Sequence, residues 1–94
     1  MLYNSRVRIL RSSLKHGIRE GEIQHAYENA ITVTSDIDSN INDPADLYIG
    51  PDFAGNLIEL LLVERDGEII IFHAMRLRTK FAALLNKYIE GEEQ

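Results

Sequence analysis

The Asp66-Gly67 step between two apolar runs constrains this chain more than any other feature. Residues 56–64 and 68–75 are apolar at almost every position and are joined by Arg65-Asp66-Gly67. An Asp-Gly pair accepts positive φ at two consecutive positions, the backbone geometry of a tight β-hairpin turn. Runs this apolar belong in the middle of a sheet that is covered on both faces. The hairpin is therefore expected to be the centre of the fold.

The remaining elements are read outward from it. Val7, Leu10 and Leu14 recur at spacings of three and four, so a one-sided helix is expected over residues 5–16. It stops at Gly17, after Lys15 and His16 in its last turn. A second helix is expected over 19–30, with Ile23, Ala26, Tyr27 and Ala30 on one stripe. Glu20 and Glu22 suit the positive end of its dipole. The β-branched residues Ile31 to Thr34 read as a strand over 31–35, followed by an Asx-rich loop of about ten residues. A short strand over 46–50 and a turn at 51–55 lead into the hairpin. Phe81, Leu84, Leu85 and Tyr88 give a last helix over 79–90. The whole, residues 1–94, is expected to be a single α+β domain. Its parts are two N-terminal helices, a four-stranded antiparallel sheet with a central hairpin, and a C-terminal helix.

Composition narrows the chemistry. The chain has no cysteine, which excludes disulfides, thiolate metal sites and a cysteine nucleophile. Its longest apolar stretches, 60–63 and 69–72, fall far short of the roughly 20 residues of a membrane span, and no segment resembles a signal peptide. A cytoplasmic location without membrane attachment is expected. The net charge of −5 conceals a segregation. Residues 1–19 carry Arg6, Arg8, Arg11, Lys15 and Arg19 and no acid. Residues 20–68 hold twelve acids against Arg65 alone, and residues 69–89 carry Arg76, Arg78, Lys80 and Lys87 with no acid. Solvated helix faces would explain such runs. If the two basic regions share a face, that face can also hold phosphates.

Several motifs fail on inspection. Residues 36–47 begin like a calcium loop, but Ile41 stands where that loop needs glycine and Leu47 where it needs glutamate. No metal is expected. Gly50, Gly55 and Gly67 are too dispersed to cradle a phosphate, and there is no Gly-x-Ser-x-Gly. The three histidines remain, since imidazole is the side chain suited to proton transfer near neutrality. Singly, each has a structural explanation: His25 on a helix surface, His16 at a helix C-terminus, His73 half-buried at a strand end. In company, His73 is followed by Arg76, Arg78 and Lys80, an imidazole and three cations leaving one strand end. Binding and cleaving a phosphodiester needs that combination.

The order of these motifs carries a resemblance. Lys15-His16-Gly17 precedes a helix containing Ala26, Tyr48-Ile49-Gly50 leads into the hairpin, and the hairpin ends in His73-Ala74-Met75-Arg76 before a basic segment. Over roughly residues 13–83 this resembles the BrnT-like toxins of type II toxin–antitoxin systems, particularly short actinobacterial relatives. The resemblance implies a RelE-like fold and a metal-independent endoribonuclease that cleaves through the RNA 2′-hydroxyl and is silenced by a DNA-binding antitoxin. By position it implies catalytic roles for His16 and Arg76 and RNA contacts from Lys15, Arg78 and Lys80; His73, singled out by its basic company, is the further catalytic candidate. The chain departs from the family where His73 replaces an aliphatic residue and Ala74 a serine, and it lacks the Lys-Glu pair of the final helix. A non-catalytic interaction domain, binding a partner protein or self-pairing as a homodimer through an edge strand, is the rival expectation.

Overall fold

A computed structural model describes residues 6–37, 45–83 and 85 of the chain. In order, it contains β1 (Arg6–Ile9), a 3₁₀ turn (Arg11–Leu14) and α1 (Glu20–Glu28). Then come β2 (Thr32–Ile37), β3 (Ala45–Pro51), β4 (Leu57–Arg65) and β5 (Glu68–Arg76). Residues 79–83 and 85 return to helix. The expected elements at 38–44, 84 and 86–90 lie outside the described residues.

The β4–β5 hairpin forms as its turn requires, with φ of 55° at Asp66 and 78° at Gly67. From it the sheet extends in the order β1-β5-β4-β3-β2. The pairs β2–β3, β3–β4 and β4–β5 are antiparallel, whereas β1 lies parallel to β5, with Arg6 opposite Glu68 and Ile9 opposite Ile71. This overturns the expected arrangement. Among the described residues the sheet has five strands and is mixed, and one α-helix precedes β2 instead of two.

The error lies at residues 5–16. Arg6-Val7-Arg8-Ile9 alternates polar and apolar, a strand period that coexists there with helical spacing. A free edge on β5, far away in sequence, decides between them. Val7 and Ile9 turn inward beside Ile69 and Ile71, and the helical spacing that remains supports only the 3₁₀ turn. The strand expected over 31–35 also runs further, to Ile37, across a register shift between Thr34 and Ile37.

Both faces of the hairpin are covered. On one side α1 seats Ile23 and Ala26 against Ile58, Leu60, Leu62, Ile71 and Ala74. On the other, Phe81 of the C-terminal helical segment packs against Leu47, Ile49 and Leu61. We call these the α1 face and the Phe81 face.

A β-bulge sorts the residues of β5 between them. Leu62 lies opposite Ile71 while Leu61 lies opposite His73, so Phe72 is the extra residue. Before it, Ile69 and Ile71 point to the α1 face; beyond it, Ala74 does. Phe72 packs with the Phe81 cluster, and His73 is opposite a member of that cluster. Among the described residues, no helix is long and apolar enough to cross a membrane.

Candidate active site

Glu59 organises the site. It is completely buried in the middle of β4, two residues before Leu61 and so on the Phe81 face. A carboxylate out of water needs partners for both oxygens. Arg78 supplies most of them, just past β5 where the chain turns into helix. Its backbone N–H donates to Oε1 at 2.8 Å, and its Nε and Nη2 lie 2.9 and 2.7 Å from Oε2. His73 Nε2 completes the set, 2.8 Å from Oε2. Burial by itself would raise the Glu59 pKa. The hydrogen bonds from His73 and Arg78, with the Arg78 charge, outweigh it and hold the carboxyl below its ordinary value.

His16 reaches the same place along the sheet edge. β1 ends at Ile9, and the chain continues beside β5 through backbone and side-chain bonds. Leu10 N–H and the Ser13 hydroxyl both donate to the Ile71 carbonyl, at 2.9 and 2.8 Å. The Ser12 hydroxyl donates to the carbonyl of the bulged Phe72 at 2.7 Å. These contacts bring the His16 ring edge-on to His73, with centroids 5.7 Å apart. The His16 residue is exposed, while the His73 side chain keeps 15% of its surface open to solvent. The two rings therefore lie side by side, one anchored to Glu59 and the other exposed.

Four of the six residues singled out from sequence lie in this region. His16, His73 and Arg78 are in or beside the cluster, and the exposed Lys15 adjoins His16. Lys80 lies two residues beyond Arg78, exposed, with its Nζ 4.9 Å from the centre of the Phe81 ring. Arg76 is elsewhere. It is opposite Ile58 on the α1 face, and its Nη1 bonds Asp52 Oδ2 at 2.6 Å. Asp52 also accepts the N–H groups of Ala54 and Asn56, so Arg76 secures the turn that joins β3 to β4. His25, expected on an open surface, is half-buried with its ring 5.0 Å from that of Phe53.

The Arg76–Asp52 pair carries a pH signature. The Arg76 hydrogen bond holds the Asp52 carboxyl below its ordinary value of about 3.8, against a smaller opposing effect of burial. A carboxyl lowered in the folded state stabilises it fully above the unfolded pKa, and that stabilisation fades as pH falls through the folded one. Arg76→Ala should therefore lower the melting temperature at neutral pH, with the gap to wild type closing below about pH 3.8. A gap that persists undiminished into that acid range would mean that Arg76 acts through something other than Asp52.

Glu59, Ser12 and Ser13 were missed from sequence. Glu59 left a legible signal, a single carboxylate inside the run Leu57 to Val63, where burial on both faces demands a cationic partner. The two serines left none, because their acceptors are backbone carbonyls some sixty residues away. Compared with protein-family models, curated proteins and solved structures, the chain matches none of them.

Proposed function

We propose that this protein is a toxin-like endoribonuclease that cleaves RNA through its own 2′-hydroxyl, and that a DNA-binding antitoxin restrains it. One observation carries the catalytic reading: two imidazoles 5.7 Å apart, one tied to a buried carboxylate that an arginine also clamps. The resemblance to BrnT-like toxins supports the choice of RNA and of an antitoxin partner.

In this scheme His73 is the base. Glu59 accepts the Nε2–H, which leaves the Nδ1 lone pair to take the 2′-hydroxyl proton. The 2′-oxygen attacks the neighbouring phosphorus, and the bond to the 5′-oxygen breaks as His16 delivers a proton to it. The products are a 2′,3′-cyclic phosphate and a 5′-hydroxyl, and no further reactant is required. Arg78, 39% exposed at its side chain, retains guanidinium N–H groups beyond those that Glu59 takes and can stabilise charge on the phosphate. Glu59 acts through His73 as a positioning residue.

Purified protein and a labelled single-stranded RNA test this. Wild type should produce cyclic-phosphate ends, and His16→Ala and His73→Ala should each cut the rate at least about a hundredfold with unchanged circular dichroism. No cleavage by wild type, with no growth arrest on expression in bacteria, would overturn the nuclease reading. A dimer in sedimentation under those circumstances would favour the interaction-domain alternative. β2 is the terminal strand of the sheet, with Val33 half-exposed, and offers such an edge.

A further inference from the structure

The β1 margin of the sheet extends the candidate site well past its histidines. Val7 and Ile9 pack toward α1, so strand alternation puts Arg6 and Arg8 on the Phe81 face, the face of Glu59 and His73. Both arginines are exposed. Register fixes their place: Arg6 is opposite Glu68 and Arg8 opposite Ile70. At about 3.3 Å per residue, Arg8 lies roughly 10 Å along the sheet from His73. Half-buried Ile70 and Phe72 occupy the interval. Beyond β1 the chain carries exposed Arg11 and Lys15 on to His16, whose ring meets that of His73.

Glu68 stands among these cations. Glu68 Oε1 is 3.5 Å from Arg8 Nη2, with both side chains partly open to water. An exposed pair of that length holds its arginine weakly, so a phosphate can compete for the guanidinium. The pattern is cations flanking a short apolar platform, all leading to the two histidines. Single-stranded nucleic acid is bound by that combination: charges follow the backbone, and bases lie on apolar or aromatic side chains. A duplex hides its base faces and could not use the open parts of Ile70 and Phe72.

We infer that Arg6 and Arg8 continue the site as a phosphate-binding track, and that the ligand is a single RNA strand several nucleotides long laid along β1 and β5. This rests on the nuclease reading for the identity of the strand, but binding can be measured without catalysis. The probe is a fluorescent 2′-O-methyl RNA of about eight nucleotides, within the usual length range for such grooves, which lacks the attacking hydroxyl and so remains intact. Wild type should bind it in fluorescence anisotropy at least about tenfold more tightly than a dinucleotide of the same chemistry. Arg6→Ala/Arg8→Ala should remove most of that advantage. It should also flatten the dependence of log affinity on log salt by about 1.4, the share of two phosphate contacts on a single strand. Arg19→Ala, which removes one positive charge at the start of α1, away from the track, should bind as wild type does. A double variant with unchanged affinity and salt slope, or wild type that holds both lengths equally, would overturn the track. Failure to cleave ordinary RNA while length-dependent binding persists would sink the nuclease reading and leave the track standing.

Discussion

Glu59→Ala should lower the melting temperature by at least about 8 °C. The substitution removes the acceptor of four contacts and leaves His73 and the Arg78 backbone N–H facing an apolar hole. Removing one member of a buried ion pair typically costs about 3–5 kcal/mol. Arg78 is 39% exposed and can turn to water, so about 2–4 kcal/mol is the better expectation here. A domain of this size has only roughly 5–14 kcal/mol in total, and each kcal/mol moves its melting point by about 4–8 °C. Glu59→Gln keeps the shape and an acceptor oxygen but loses the charge, and should fall between. The sign of its pH dependence follows from the lowered folded pKa. Wild type keeps its full advantage over Gln above the unfolded value of about 4.5 and loses it as pH falls through the lower folded value. Thermal melts of the three proteins from neutral to acid pH provide the check. An Ala variant melting within about 3 °C of wild type would show that the carboxylate contributes no net stability.

Gly50→Ala should damage the fold at least as much, for a different reason. A Cβ at Gly50 would stand 2.2 Å from the Ala26 carbonyl oxygen and 2.9 Å from its carbon. These are backbone atoms of α1, so no rotamer change relieves the clash; the helix must lift from β3 and draw Ile23 and Ala26 out of the core. Overpacking usually costs about 1–3 kcal/mol, and a collision between two main chains belongs at or above the top of that range. Urea denaturation should show a midpoint lowered in proportion. Gly55→Ala, whose added Cβ meets nothing within 4 Å, separates backbone strain from packing, since Gly55 has φ of 91°. If Gly50→Ala proves no worse than Gly55→Ala, the close seating of α1 on β3 is wrong.

What could be read in advance depended on how local its causes were. The hairpin was legible because Asp66-Gly67 and the flanking runs contain all the information that the turn uses. The helix over 19–30 was legible for the same reason, and it appears as Glu20–Glu28. β1 was not, because Arg6 to Ile9 become a strand only through pairing with β5. The candidate site divides along the same line. His16, His73 and Arg78 could be named from type and company. Arg76 could not be separated from them, because the bulge at Phe72 decides which face each residue beyond it takes, and runs of isoleucine and phenylalanine do not announce a bulge. Counting from Ile71 without it would have put His73 under α1 and Arg76 beside the cluster.

The parallel seat of β1 has a consequence for how the molecule comes into being. A ribosome delivers Arg6 to Ile9 long before their partners at 68–71 exist, and His16 long before His73. The first strand must wait, unpaired, until β5 emerges, and contacts so distant along the chain make for slow closure. A nascent chain that stops short of β5 therefore holds none of the assembled cluster, and any chemistry at that cluster begins only after β5 has been made.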